Sequence, residues 1–258
     1  MPSSVSGCLP FSLRCSRYWF ICVGWSGSGV RWSGNGKPAH GSTPALGKNA
    51  IERLTQFLPR LKALETGTVK TPKDAEVLIK NGKKELRRVA QKNGVPVNSL
   101  TRTLTHYTVN LGVITGGTKT NVVPEKCEAE IDIRVPAGGH PDGVKEFVRS
   151  MLTEELEYRV INRNMPSYTP ADQPLIKAVQ KSVKQVFGYT PEATDMAATS
   201  DAHHFREILG IPTASFGPGY GELAHAYDEF VYLEDVRNAA KAYACTIANV
   251  CTLKRVNS

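Results

Sequence analysis

From residue 127 the chain alternates strictly: Cys127, Ala129, Ile131 and Ile133 are apolar, and Glu128, Glu130, Asp132 and Arg134 between them are charged. A two-residue period fits a pleated strand with one face on a core and the other in water. It predicts a strand over 127–135 in a sheet that is covered on one side only. The neighbouring segments must supply that cover.

They do so in a recognisable order. A short strand is expected from Val30, followed by the Gly-rich loop 34–42. Asn49, Ala50, Ile51, Leu54, Phe57, Leu58, Leu61 and Leu64 then recur at a helical period and give one apolar face. Residues 65–72 break that pattern. A second helix over 73–92 resumes it, ends at Asn93-Gly94 and reads as an insertion. Strands at 107–115 and 127–135, a helix over 141–155 and a strand at 156–161 complete the series strand, helix, strand, strand, helix, strand, which is the split βαβ arrangement. After Met165-Pro166 a helix over 173–187, a short apolar strand over 210–216 and a long helix over 233–253 are expected. One strand and two helices do not make a full layered core. The predicted organisation is therefore an irregular lead-in (1–31), an α+β ferredoxin-like βαββαβ domain (32–165) and the C-terminal part of an α/β domain (166–258).

Composition narrows the class. With 41% hydrophobic and 22% charged residues the chain reads as a globular mixed α/β protein. The apolar run 18–23 is far short of the roughly 20 residues a membrane helix needs, so no membrane partner is expected. The net charge of +8 raises the question of nucleic acid. Its densest basic cluster, Lys80, Lys83, Lys84, Arg87, Arg88 and Lys92, has no interleaved aromatics to stack on bases. It reads as a solvated helix face, and nucleic acid is not expected. None of the six cysteines forms a Cys-x-x-Cys pair. Arg14 and Arg17 precede a short apolar run that loosely imitates a signal peptide, but no convincing cleavage site follows; a cytoplasmic location is expected.

The most specific signals are short motifs. Gly36-Lys37-Pro38-Ala39-His40-Gly41-Ser42 comes first, then Gly116-Gly117-Thr118 with Asn121-Val122-Val123-Pro124, and then Asp132-Ile133-Arg134. Thr199-Ser200-Asp201-Ala202-His203-His204-Phe205, Phe216-Gly217-Pro218-Gly219 and Ala224-His225-Ala226-Tyr227-Asp228-Glu229 follow. In this order, spanning residues 36 to 250, they resemble the zinc-dependent aminoacylase and carboxypeptidase family. That family includes acetylornithine deacetylase, succinyl-diaminopimelate desuccinylase, aminoacylase and the glutamate carboxypeptidases, in the metallopeptidase clan MH.

The resemblance implies a hydrolase of amide bonds, acting on N-acyl amino acids or peptides with a free carboxylate. In such enzymes two zinc ions polarise the amide carbonyl and generate hydroxide, and a Glu is the general base. His225 matches the last metal ligand, with Asp228 or Glu229 supporting it; read alone, it is a loop histidine beside a helix-capping acid. His40 matches a lid histidine that reaches across a homodimer to the oxyanion in the partner's site, and read alone it is a turn histidine hydrogen-bonded to Gly-rich backbone. Asn121 and Arg134 match lid positions that bind a substrate carboxylate, the alternative for Arg134 being a cross-strand salt bridge. Asp201, Gly217 and Gly219 match the pocket floor. His203 stands where many relatives have Arg. His203 and His204 are expected on an extended or turning segment, pointing different ways.

The family's other metal ligands and its Glu-Glu pair precede the lid, and residues 1–35 contain no Asp, Glu or His. Two readings follow. Either the chain is an N-terminally truncated piece of such a hydrolase, supplying one zinc ligand, or it is a non-catalytic dimerisation module.

Overall fold

The computed structural model describes residues 21–22, 26–152, 156–195, 200–219, 223 and 227–256. Its elements run Ile21–Cys22 (β1), Ser26–Asn35 (β2), Ala50–Leu61 (α1), Glu76–Asn93 (α2), Val97–Thr101 (α3), Thr108–Gly116 (β3), Lys126–Val135 (β4) and Pro141–Ser150 (α4). Leu156–Val160 (β5), Pro174–Phe187 (α5), Ala193–Thr194 (β6), Ala202–Glu207 (α6) and Leu233–Val256 (α7) complete the order. The chain divides into two compact units, one built from residues 22–177 and 193–215, the other taking in residues 178–192 and 216–258.

The first unit centres on a four-stranded sheet of order β3-β4-β2-β5, with all three neighbouring pairs antiparallel. Together with α1 and α4 this is the expected βαββαβ arrangement. The alternation read in the sequence holds along β4, where Cys127, Ala129, Ile131, Ile133 and Val135 are buried and the residues between them are exposed or half-buried. The long helix–sheet core gathers Val30 and Trp32 of β2, Leu54, Phe57 and Leu61 of α1, and Val144 and Val148 of α4 onto that face. Trp32 is fully buried, its ring 4.2 Å from that of Phe57 and 5.4 Å from that of Tyr158.

Local signals explain the element ends. Asn49 caps α1, its Oδ1 accepting from the backbone N–H groups of Ile51 and Glu52. Gly94, in the left-handed conformation with φ +65°, closes α2 where Asn93-Gly94 predicts an end. β2 begins at Ser26, ahead of the start expected near Val30. β3 carries a bulge between Leu111 and Val113, and as an edge strand it leaves Leu111, Val113 and Ile114 exposed. The strand expected over 210–216 is not a regular strand; among the described residues no ladder runs along it, and an extended segment becomes a strand only by pairing. No helix among the described residues is long and apolar enough to cross a membrane.

In the second unit, Asn249 Nδ2 of α7 donates to Ser182 Oγ of α5 at 2.9 Å. Ser182 is fully buried and passes its own hydroxyl proton to Ala178 O at 2.8 Å, so both polar side chains are satisfied by helix neighbours.

The wet face of the sheet carries charge pairs such as Arg31 Nε to Glu130 Oε1 at 3.1 Å across β2 and β4. Half-exposed pairs of this kind contribute about 0–1 kcal/mol, whereas deleting a buried aromatic ring costs about 3–5 kcal/mol. Trp32→Ala is therefore expected to lower unfolding stability by about 3–5 kcal/mol and Arg31→Ala by less than about 1 kcal/mol, as measured by chemical denaturation. A larger loss for Arg31→Ala would contradict this division of energies.

Candidate functional site

The ladder between β2 and β4 does not stop at the sheet. Its last sheet pair is Asn35 with Lys126, and beyond it Gly36 N donates to Glu125 O at 2.7 Å, Val123 N to Ala39 O at 2.9 Å and Gly41 N to Asn121 O at 2.7 Å. His40 bridges Val122 in the same antiparallel sense. The two motif loops are thus zipped together by backbone alone, which brings His40 and Asn121 into one neighbourhood. Gly36 is required by close approach. A Cβ there would lie 2.2 Å from Lys48 O and 2.8 Å from Pro124 O, and backbone oxygens cannot rotate away.

The ring of His40 is exposed and its Nδ1 is occupied: it accepts from the backbone N–H of Ser42 at 3.2 Å and lies 2.7 Å from Ser42 Oγ. A backbone N–H can only donate, so Nδ1 is the bare nitrogen and the neutral ring carries its proton on Nε2. That leaves a hydrogen-bond donor at the far side of the imidazole, the group that a developing negative charge requires. Asn121 is also exposed.

Arg134 stands at the other end of the same strand. It pairs in register with Gly27 of β2 and Thr108 of β3. Lys126 lies eight positions back along β4, about 27 Å at a rise of about 3.4 Å per residue, and Asn121 lies beyond Lys126. Within one protomer, then, Arg134 is not brought to His40 and Asn121. Its Nε donates to Asp132 Oδ2 at 2.7 Å, a pair within the strand.

Asp201 is exposed and precedes α6, and its side chain makes no capping bond to that helix. The segment that follows it is helical, which corrects the expectation of an extended stretch: His203 N and His204 N donate to Ser200 O and Asp201 O, and the two rings sit 3.8 Å apart. His203 is buried, with Nδ1 donating to Ser200 O at 2.8 Å. Nearby, Arg206 Nε donates to Ser167 Oγ at 3.1 Å, and Thr169 and Thr213 exchange two hydrogen bonds.

Gly217 and Gly219 belong to the second unit. Gly219 adopts φ +114°, which a side chain would strain. Tyr243 of α7 anchors this loop, its hydroxyl donating to Phe216 O and its ring lying 4.4 Å from that of Phe216. Burial raises the phenol above its usual range and keeps it a donor. Neither Ser42 nor Tyr243 was singled out by sequence reasoning. A Ser two residues after a turn histidine is a usable signal for the first; nothing local to residues 216–219 points to the second.

His225, the expected metal ligand, lies outside the described residues. Among the described residues no group of three or more His, Cys, Asp or Glu side chains is placed to hold a metal ion.

A profile of the peptidase dimerisation domain matches residues 27–159, just over half of the chain. Among curated proteins, the chain is 30% identical over 134 residues to a succinyl-diaminopimelate desuccinylase of Hydrogenovibrio crunogenus, covering 51% of this chain and 35% of that one. It is 27% identical over 224 residues to an acetylornithine deacetylase of Myxococcus xanthus, covering 84% and 50%. The chain thus spans half or less of the length of these relatives. Among solved structures, an M20 family metallo-carboxypeptidase, Sso-CP2 from Sulfolobus solfataricus, shares the fold with a TM-score of 0.68 at 20% identity, over 89% of this chain and 59% of that one. Human carnosine dipeptidase 1 does so with a TM-score of 0.65 at 15% identity, over 90% and 56%. The split βαβ sheet, the match along most of it and these relatives together show that the chain belongs to the M20 peptidase family, whose dimerisation domain it carries.

Proposed function

We propose that these 258 residues are the lid (32–165) and the C-terminal catalytic portion (166–258) of a zinc-dependent amide hydrolase. Its substrates are N-acyl amino acids or peptides with a free carboxylate, and it works as a homodimer joined through the lid. The observation that carries this reading is the placement of His40 with Asn121 at one end of the β2–β4 ladder and of Arg134 at the other. One substrate pocket cannot reach both ends of one protomer. In a symmetric dimer each pocket takes Arg134 from one subunit and His40 with Asn121 from its partner.

In that arrangement the chain's residues divide the work. Arg134 offers a planar guanidinium to the substrate carboxylate, with Asp132 fixing its orientation. Asn121 steadies the substrate from the opposite side. His40 donates from Nε2 to the oxygen that gains charge as the amide carbonyl is attacked, with Ser42 holding the tautomer. Asp201, Gly217 and Gly219 are assigned to substrate binding, the glycine loop being held by Tyr243. Zinc, when bound, would supply Lewis acidity and a water of lowered pKa. His225 is the ligand this chain would contribute. The described residues do not by themselves fit a two-metal site, and the remaining ligands would come from outside them.

The edge strand β3 suits the dimer contact, because Leu111, Val113 and Ile114 present an apolar, unpaired edge of the kind that recruits a second strand. Val113→Lys or Ile114→Lys is expected to shift the protein from dimer to monomer in analytical ultracentrifugation without loss of helix and strand signal. An unchanged dimer would remove β3 from the interface.

The functional reading is tested by isolating the protein from its own cells, weighing it intact and assaying it. A polypeptide longer than 258 residues, with two zinc ions per chain and hydrolysis of N-acetyl or N-succinyl amino acids, is expected. A dimer of the 258-residue chain with neither metal nor hydrolysis would instead identify a non-catalytic dimerisation module.

A further inference from the structure

Helix α2 stands outside the split βαβ plan, since α1 and α4 already cover the sheet. It carries a charge distribution that the lid does not need. Lys80, Lys83 and Arg87 follow at spacings of three and four, so they share one face of the helix. With Thr71, Glu76 and Ile79 they line a shallow, open cavity of about 260 Å³ on the surface. Elsewhere on the helix charge is matched, Arg88 Nη1 lying 3.5 Å from Glu85 Oε2. In the cavity three cations face the single carboxylate of Glu76, and among the described residues Lys80, Lys83 and Arg87 form no ion pair or side-chain hydrogen bond.

Like charges gathered in a concavity repel one another unless an anion sits among them, and a concave wall concentrates their field. That field extends past α2. His106 titrates below the ordinary histidine range, chiefly through burial, then through the guanidinium of Arg102, with Lys83 acting in the same direction against a hydrogen bond to Arg102 O. Lys83 of the cavity is thus within electrostatic reach of His106, as the smallest of these influences.

We propose that this cavity binds a small phosphate-bearing molecule. Arg87 supplies a planar fork for two phosphate oxygens, Lys80 and Lys83 act as point charges, and the Thr71 hydroxyl adds a neutral donor. Glu76 accepts a hydrogen bond from a hydroxyl group of the same molecule and disfavours ligands whose negative charge extends to its side of the cavity. The site is separate from His40, Asn121 and Arg134, so it stands or falls independently of the hydrolase reading.

The test is a titration of the full chain with inorganic pyrophosphate at constant ionic strength, followed by calorimetry and by NMR of the His106 ring. Saturable binding at one site is expected, with the His106 titration midpoint moving upward as the bound anion offsets Lys83. Lys83→Gln and Arg87→Gln are each expected to weaken binding about tenfold or more, and Glu76→Gln to tighten it. All three residues are at least partly exposed on a helix, so folding is retained and checked by thermal melting. The proposal is overturned if citrate binds as tightly as pyrophosphate, or if the Lys83→Gln, Arg87→Gln double variant binds as well as the parent chain. It is equally overturned if only a single-stranded oligonucleotide binds, with affinity collapsing as salt rises.

Discussion

The antiparallel pairing of β2 with β4 sets the position of nearly everything else in the first unit. Its register places Trp32 opposite Ala129, a large ring across from a small side chain, so the core fills without a clash beneath α1. A slip by one residue would turn Trp32 outward and put Arg31 into the core, which makes the register costly to change. The same ladder continues past the sheet to join Gly41 with Asn121. Core packing and the meeting of His40 with Asn121 therefore depend on one register, and an error in the first would undo the second.

Energies divide unevenly between the two faces of that sheet. The apolar face buries large side chains, each contributing about 1.5–3 kcal/mol. The wet face holds Arg31 with Glu130 and Arg134 with Asp132, half-exposed pairs that contribute about 0–1 kcal/mol each. Stability consequently places little demand on which charges stand on the wet face. Packing therefore does not dictate an Arg at position 134, nor the cations Lys80, Lys83 and Arg87 of α2.

How much of this was legible in the sequence depended on whether side chains or backbone did the work. The alternation along residues 127–135 names side chains that are buried, and of the helical period from Asn49 to Leu61, Ala50, Leu54, Phe57 and Leu61 are buried while Asn49, Ile51 and Leu58 are half-buried, because burial of side chains writes a period into the sequence. Asn49 and Gly94 mark helix ends through their own chemistry. The start of β2 is not legible in the sequence because Ser26, Gly27, Ser28 and Gly29 carry no hydrophobic period, while their register with β4 is set by backbone pairing. Residues 210–216 read as a strand from their apolar character, yet that character does not supply a pairing partner. The motifs pointed to His40 and Asn121, and the zipped backbone explains why they belong together. They gave no warning that Arg134 lies a strand's length away, since sequence order says nothing about which end of a strand faces which pocket.

The central claim is that His40 and Arg134 of one chain serve two different pockets of a dimer. It is tested by mixing two individually inactive variants of the full-length hydrolase, His40→Ala and Arg134→Ala, under conditions that exchange subunits. The account predicts that activity returns to about a quarter of the wild-type level, because half of the dimers are mixed and each of these has one intact pocket. A mixture as inactive as its two components would place both residues in the same pocket and contradict the account.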